Sequence, residues 1–435
     1  MASATKLTQE RDLRDRLVEA RAISDELFNV VRREALYDRP IAERHRIIFY
    51  VGHLEAFDWN LFCGQRDELR PFAPAFDRLF AFGIDPVDGQ LPSDQPSDWP
   101  ALSEVHGYNT RVRAELDRLI DTSGADLSCL LNTAIEHRLM HAETLAYMFH
   151  RLPFDRKIPQ RQLEASPREF SPQMVDIPAG IATLGLRLDA KNRFGWDNEF
   201  EAHQVDVPGF AIDKYMVTNG EYLEFLRDRG YHRKELWANE GWEWIQSAHV
   251  ECPAFWLKEG NRWLWRGMFE AHPLPLEWPV YASHAEATAY ARWAGKALPT
   301  EAQWHRAAYG QPNGEEREFP WGSGEERAGK GNFDFERWDP APVNSVSNNV
   351  SAFGVVGMLG NGWEWTSSEF APFKGFQAFS FYPGYSANFF DGKHFVMKGG
   401  SARTSKALLR RSFRNWFQPH YQYVYSGIRC VSNRD

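Results

Sequence analysis

The chain has 435 residues, of which 43% are hydrophobic and 25% charged, a composition typical of a folded protein with a buried core. This length exceeds that of one typical domain, so two domains are expected. The formal net charge is −9 and no basic run stands out. Nucleic acid and anionic membrane surfaces are therefore not expected as partners.

No segment reaches the apolar length of a membrane helix, and the stretch MASATKLTQERDLRDRL lacks the apolar core of a signal peptide. The four cysteines are scattered and form no CxxC pair. These patterns predict a reduced, cytoplasmic protein without a membrane span. The sequence is compatible with a monomer or a homodimer.

Apolar residues recur at helical spacing in the first third of the chain. The pattern predicts four helices, over residues 6–37, 41–63, 101–121 and 127–149. Pro40 is expected near the start of the second helix, and Asp126 or Ser128 is expected to cap the fourth. The connection FDRLFAFGIDPVDGQLPSDQPSDWP is too long for a simple turn and is typical of loops that shape a site. Four helices with one long crossover predict a helical bundle over residues 1–155.

The fourth predicted helix carries two histidines. His137 and His141 occupy an apolar stripe between Ala134 and Leu145, so both imidazoles leave the same helix face on neighbouring turns. A metal ion would give both rings a partner, but this spacing also occurs in ordinary core histidines held by hydrogen bonds. His53 lies on the apolar stripe of the second predicted helix and is the best candidate for a third ligand. Three neutral imidazoles leave coordination positions open, as in catalytic metal sites.

The pattern changes after a Pro- and Arg-rich linker at residues 156–172. In the second domain, residues 173–435, short apolar runs are broken by Gly, Pro and Asn, and most of the 17 tryptophans lie there. Three helices are predicted within it, over residues 219–228, 283–293 and 300–308. Ser283 and Thr300 each begin a capping-box pattern. The rest is turn-rich, which predicts an irregular mixed α+β domain.

Several motifs of this second domain resemble those of the formylglycine-generating-enzyme family, whose fold is C-type-lectin-like. They are MVDIPAG at 174–180, FAIDKYMVTNGEYLEF at 210–225, LPTEAQWHRAA at 298–308, VGMLGNGWEWTSS at 356–368, KGGSARTS at 398–405 and FRNWF…GIRC at 413–430. The resemblance implies that fold. It does not imply formylglycine generation, because that activity uses a cysteine-bound copper and Cys252 and Cys430 do not form such a pair.

A helical bundle with His53, His137 and His141, followed by this domain, resembles the ergothioneine- and ovothiol-type nonheme iron sulfoxide synthases. Those proteins join a DinB-type four-helix bundle to a lectin-like domain, and the resemblance covers nearly the whole chain. Within the group it is nearest to the selenoneine synthases. It implies Fe(II) bound by the three histidines, O2 as co-substrate, and a new C–Se or C–S bond at imidazole C2 of hercynine, which is trimethylhistidine.

The resemblance also implies roles in the second domain. In FYPGYSANFF, Tyr382 resembles the tyrosine that supplies a proton or an electron during oxygen activation, and Tyr385 resembles an aromatic wall of the betaine pocket. In FRNWF, Asn415 and Trp416 stand where the family holds the substrate's carboxylate and trimethylammonium, and Arg414 is expected to line the same pocket. Aromatic faces attract a quaternary ammonium through the ring quadrupole. Without the resemblance, packing in a Trp-rich core would explain these aromatics.

Two positions depart from family members that use γ-glutamylcysteine. Phe417 stands where those proteins have Asp, so the anchor for that donor's ammonium is missing. Met140 stands before His141 where some members have Gln, and both positions are expected to line the substrate pocket. The missing charge is compatible with an uncharged selenosugar donor, although it excludes one donor without selecting another. The sequence thus favours a selenoneine synthase and keeps cysteine and γ-glutamylcysteine as alternative donors.

Two other functions use the same residues. The histidines would hold zinc in a thiol transferase, as in other DinB-type bundles, or would be structural beside a non-catalytic binding module. Imidazole ligands with open positions suit iron(II) and O2, whereas zinc is redox-silent. In the leading hypothesis the substrate imidazole lies near the metal, so the second domain is expected to fold back on the first.

Overall fold

The computed structural model describes residues 2–66, 69–84, 91–123, 125–161, 171–188, 194–324 and 329–433, with side chains within 12–432. The chain divides into two compact units, Met1–Gln160 and Arg161–Asp435. The first is helical and the second combines short helices with small sheets, so the predicted α+β content is confirmed. Across the described ranges, no helix combines the length and apolarity that crossing a membrane needs.

Within the described residues, the first unit contains five α-helices: α1 (Ala2–Phe28), α2 (Ile47–Cys63), α3 (Pro74–Phe82), α4 (Leu102–Thr122) and α5 (Ser128–Arg151). Helix α1 packs along α5, and α2 contacts α3, α4 and α5. The interior is filled by fully buried aliphatic side chains such as Leu17, Ile48, Val112 and Leu145. The similarity of this unit to DinB-type bundles stays a prediction.

Two predicted helix boundaries are wrong because tertiary contacts override helical periodicity. The helix expected over 6–37 ends at Phe28, since Val31 pairs with Lys157 in a β-bridge and the chain then forms a short 3-10 helix over Arg33–Tyr37. The second helix begins at Ile47 rather than at residue 41. Its first backbone N–H donates to the carbonyl of Asp38, which holds the intervening residues in a turn.

The long connection contains a helix that the sequence interpretation missed. Helix α3 begins with Pro74 at its first turn, a position that suits proline, so the unit has five helices rather than the predicted four. Residues 85–90 of the same connection lie outside the described part of the chain. At the start of α5 no side chain caps the helix, and the carboxylate of Asp126 instead accepts the backbone N–H of Ser128 at 2.9 Å.

A buried ion cluster joins four of these helices. Arg138 of α5 donates to Glu55 and Asp58 of α2, at 2.9 and 2.7 Å, and all three side chains are 1% exposed. Glu55 also accepts from Arg113 of α4 at 2.6 Å, and Arg113 pairs with both oxygens of Asp25 on α1. Burial alone would raise the pKa of Glu55, but the two arginines lower it to about 2. The carboxylate therefore stays charged and paired at neutral pH.

The second unit is built from four helices and twelve strands in the described residues. The helices are α6 (Asn219–Arg227), α7 (Asn239–Ser247), α8 (His284–Trp293) and α9 (Glu301–Tyr309). The strands are β1 (Met174–Ile177), β2 (Gly180–Leu184), β3 (His203–Val207), β4 (Phe210–Asp213), β5 (Trp256–Glu259), β6 (Arg262–Arg266), β7 (Ala271–Pro273), β8 (Gly362–Glu369), β9 (Phe395–Gly400), β10 (Asn415–Phe417), β11 (Ser426–Gly427) and β12 (Val431–Asn433).

The strands form four small sheets, with orders β1-β4-β12, β2-β3, β5-β6-β7 and β10-β9-β8-β11. All pairs are antiparallel except β11 with β8. The predicted caps are present, because the hydroxyl groups of Ser283 and Thr300 accept the backbone N–H three residues further on. Helix α7 was not predicted. Strand β10 is the element that positions the FRNWF motif, with Trp416 opposite Val396 of β9.

Replacing Arg138 with Met should destabilise the first unit strongly. The substitution keeps much of the side chain's volume but leaves Asp58 buried without its cation and Glu55 with Arg113 alone, which costs about 3–5 kcal/mol. Hydrogen exchange of the amides of α2 and α5 measures this loss for the first unit separately. Arg118→Met is the control, since Arg118 is 70% exposed and its pair with Glu115 is worth about 1 kcal/mol or less. Equal protection of these amides from exchange in both variants would contradict the stabilising role of Arg138.

Candidate metal centre

Three imidazoles converge between two helices of the first unit. His53 lies on α2, and His137 and His141 lie one turn apart on α5. One ring nitrogen from each lies within 4.8 Å of the others. The ring centroids of His53 are 5.3 Å from His137 and 4.9 Å from His141. The structure thus brings together the three histidines that the sequence selected.

A carbonyl of α3 orients the His53 ring. The Nδ1 atom of His53 lies 2.6 Å from the carbonyl oxygen of Phe80. A carbonyl only accepts, so Nδ1 carries the proton and donates. The lone pair of this neutral ring is then on Nε2, the arrangement that metal-binding histidines use. Sequence reasoning missed this partner because it missed α3.

Aromatic side chains fix the other faces of the rings. Phe57 stacks on His137 with the ring centroids 3.4 Å apart and the planes 10° apart. Phe49 stacks on His53 at 4.7 Å and 25°. Such ring contacts limit rotation of the imidazoles while leaving their in-plane nitrogen lone pairs unused. Both phenylalanines lie on α2, at four-residue spacing from His53.

Burial keeps the three imidazoles neutral. Loss of hydration lowers the pKa of His53 to about 4 and lowers the pKa of His137 and His141 well below the usual value, with the neighbouring rings adding to the effect. The Nδ1 atom of His141 is buried and has no hydrogen-bond partner among the described residues. Three neutral nitrogen ligands in this setting fit a divalent transition metal such as Fe(II), and no thiolate or carboxylate belongs to the group.

An aromatic cluster in the second unit contains the predicted catalytic residue Tyr382 and two of the predicted substrate-binding residues, Tyr385 and Trp416. The Tyr385 ring stacks on Trp196 at 4.0 Å and meets Trp416 edge-on at 5.5 Å. Tyr382 lies 5.6 Å from Tyr385 and 6.4 Å from Trp196, between ring centroids. The Trp416 ring also stacks on Phe370, with the ring centroids 4.0 Å apart and the planes 6° apart. Trp196 was not predicted, and its segment FGWDNEF carries no periodic pattern that would have selected it.

The residues that flank Trp416 differ in what they offer a ligand. The side-chain oxygen of Asn415 accepts the backbone N–H of Trp416 at 2.9 Å, which leaves the amide NH2 group to donate. Phe417 stacks on Tyr421 at 4.9 Å and 9°, so this position presents an aromatic face and no charge. Met140 is half-buried on α5, directly before His141. Its place in a substrate pocket stays a prediction.

Arg414, which is expected to line the substrate pocket, makes several contacts with other groups of the protein. It is 2% exposed, and its guanidinium donates to Glu301 of α9 at 3.1 Å and to the carbonyls of Asn198 and Ala371 at 3.3 and 3.1 Å. The same group lies over the ring of Phe373 at 4.2 Å. These contacts hold the guanidinium among protein groups, and its place in the substrate pocket stays a prediction.

The chain is similar in sequence to one protein family and to several named proteins. The family described as the sulfatase-modifying factor enzyme 1-like domain matches residues 159–434. A protein of Mycolicibacterium smegmatis named hercynine oxygenase is 36% identical over 396 residues, which is 88% of this chain and 89% of that protein. Hercynine oxygenase of Mycobacterium tuberculosis is 40% identical, over 54% of this chain and 55% of its own length. Ergothioneine biosynthesis protein 1 of Neurospora crassa is 29% identical over 92% of this chain but 55% of its own length.

Fold and site together define a two-unit α+β protein with a three-imidazole centre suited to a divalent metal. On the relatives above and the domain match, the chain belongs to the ergothioneine-type iron sulfoxide synthase family, and its second unit carries the sulfatase-modifying factor enzyme 1-like domain.

Gly52 should be required for the orientation of His53. A Cβ atom at Gly52 would overlap the ring of Phe80, whose carbonyl holds the His53 ring. Gly52→Ala is therefore expected to displace Phe80 and to weaken metal binding by about 10-fold, the lower end of the effect of losing a partner that orients a ligand. Anaerobic titration with Fe(II), followed by metal analysis, measures the change.

The matched control for this variant is Gly107→Ala. Gly107 is also a helix glycine, on α4, and a Cβ atom there would have no neighbour within 4 Å. This control should bind metal normally and gain slight stability, because alanine favours the helix by about 1 kcal/mol. Unchanged Fe(II) affinity in a folded Gly52→Ala protein would show that the contact of His53 with Phe80 does not affect metal binding.

Proposed function

We propose that the protein is an Fe(II)- and O2-dependent enzyme that joins the chalcogen atom of a donor to imidazole C2 of hercynine. The observation that carries this proposal is the group of three neutral imidazoles, buried at His137 and half-buried at His53 and His141, with ring nitrogens within 4.8 Å of one another. The names of the relatives, hercynine oxygenase and ergothioneine biosynthesis protein 1, support hercynine as the substrate. Bound Fe(II) would supply open coordination positions and redox chemistry with O2, which zinc does not.

The aromatic cluster of the second unit is proposed to bind the trimethylammonium group of hercynine. A quaternary ammonium donates no hydrogen bonds, so it is recognised by aromatic faces, each worth about 0.5–2 kcal/mol. Trp416 and Tyr385 provide such faces at right angles to each other. The amide NH2 group of Asn415 is then the donor to the substrate carboxylate. This assignment retains the roles that the sequence resemblance implied for these three residues.

Tyr382 is the proposed proton source. Its phenol lies against Trp196 and Tyr385, and burial, with the charge of Asp197 adding, raises its pKa above the usual value. The hydroxyl therefore stays protonated at neutral pH and has a proton to give. Coupling breaks the imidazole C–H and chalcogen–hydrogen bonds and releases two electrons and two protons, which together convert O2 to H2O2. If the chalcogen is also oxidised, one atom of O2 enters the product as the selenoxide or sulfoxide oxygen and the other leaves as water with the two protons.

The donor is proposed to be an uncharged selenosugar, which would make the enzyme a selenoneine synthase. The support is Phe417, which stacks on Tyr421 and offers no charge to the ammonium group of an amino-acid donor. The names of the relatives favour a sulfur donor instead. Cysteine and γ-glutamylcysteine are therefore the second candidates, and the assay must compare all three.

The test is aerobic incubation of the Fe(II)-loaded protein with hercynine and each donor in turn, with products identified by mass spectrometry. One donor should give a coupled product that requires both iron and O2. Protein loaded with zinc is the control and should neither consume O2 nor couple. The absence of a coupled product with every donor would contradict the proposed function.

Replacing Tyr382 with Phe should slow turnover without weakening binding. Removing a positioned proton donor costs about 100-fold or more in kcat, while the ring that contacts the neighbouring aromatics is kept. The dissociation constant of hercynine should stay within about 3-fold, since aromatic contacts supply the binding. Tyr215→Phe, a change at a half-buried tyrosine between β4 and α6, is the control and should behave as wild type. An unchanged kcat would remove Tyr382 from the reaction.

A further inference from the structure

Two buried acids lie two residues apart in a 3-10 helix of the second unit, Asp197–Glu199. Asp197 is 1% exposed and Glu199 is fully buried. Glu199 accepts from Nε of Arg410 at 2.8 Å and from the hydroxyl of Ser412 at 2.7 Å. The arginine offsets the cost of burial and holds the pKa of Glu199 below its usual value. This acid has a cation partner within the protein.

Asp197 differs from Glu199 in its partners. One carboxylate oxygen accepts the hydroxyl of Ser386, and the backbone N–H groups of Asn198 and Phe379 and the side-chain amide of Asn198 also donate to this acid. No lysine or arginine in the described part of the chain forms an ion pair with it. Its other oxygen, Oδ2, is buried and has no hydrogen-bond partner among those residues. Burial raises the pKa of Asp197, as expected for a carboxylate without a cation.

This acid lies next to the aromatic cluster. Trp196, which precedes it, stacks on Tyr385, and Ser386, which donates to it, follows Tyr385 in the chain. The charge of Asp197 also acts on the hydroxyl of Tyr382. Four rings and one carboxylate lacking a cation are thus gathered in one place, and the group that both kinds of side chain attract is a cation.

We propose that Asp197 supplies the negative charge that selects a permanently cationic substrate in the aromatic cluster. The inference rests on the proposed function and deepens it, because it names a residue that distinguishes a trimethylammonium group from a neutral group of the same shape. Aromatic faces attract both kinds of group, since dispersion acts on either. A buried carboxylate attracts the charged one, because its field is little screened inside the protein.

The test compares two ligands by calorimetry on the iron-loaded protein without O2. The ligands are hercynine and its analogue in which a tert-butyl group replaces trimethylammonium. Wild type should prefer hercynine, and Asp197→Asn should reduce this preference by about 10-fold, by weakening hercynine binding while leaving the analogue unchanged. Asp197→Glu, which keeps the charge, should retain most of the preference. Asp197→Ser serves as a second neutral variant if the Asn protein does not fold.

Two matched controls test whether any lost charge has the same effect. Asp206→Asn removes an exposed carboxylate from β3 of the same unit. Glu224→Gln removes an exposed carboxylate from α6 of the same unit. Both proteins should keep the wild-type preference for hercynine.

The outcomes separate the two proposals. If wild type binds neither ligand, the proposed function fails and the role of Asp197 fails with it. If wild type prefers hercynine and the neutral variants keep that preference, the inference is overturned while the proposed function stands. Equal loss of both ligands in the neutral variants would make Asp197 a structural residue and would overturn the inference as well.

Discussion

The first unit depends on a buried ion cluster that fixes helix α5 against helix α2. Arg138 holds Glu55 and Asp58, and a buried acid deprived of its cation would cost several kcal/mol, so no shifted register of the two helices is stable. Arg138 follows His137 directly, and Glu55 is two residues from His53. The register that satisfies the charges is therefore the register that brings the three imidazoles together. The buried ion pairs and the three-imidazole group thus belong to the same helix contact.

The histidines were predictable because their signal is local. The four-residue spacing of His137 and His141 places them on one helix face, and His53 was selected from the apolar stripe of its own helix. The carbonyl of Phe80 that orients His53 was not predictable, because α3 has nine residues and lies inside a Pro- and Asp-rich stretch. The end of α1 was missed for another reason, since the pairing of Val31 with Lys157 joins residues distant in sequence.

In the second unit, prediction was accurate where the physics is local and failed where contacts are distant. Capping boxes at Ser283 and Thr300 involve residues three apart and were recognised. The contact of Asp197 with Ser386 joins positions 189 residues apart, so only the fold reveals it. The engagement of Arg414 by Glu301 likewise depends on the packing of α9. The motif resemblance selected Tyr382, Tyr385 and Trp416, but not the buried charge beside them.

The central proposal is that the imidazoles of His53, His137 and His141 are the ligands that the protein gives to the iron. X-ray absorption at the iron edge of the Fe(II)-loaded protein, recorded without O2 or substrate, counts these ligands directly. The spectrum should show three histidine rings through their multiple-scattering pattern, with the remaining positions filled by light oxygen atoms from solvent and no sulfur. Fewer than three imidazoles, or a sulfur atom bound to the iron, would contradict the account.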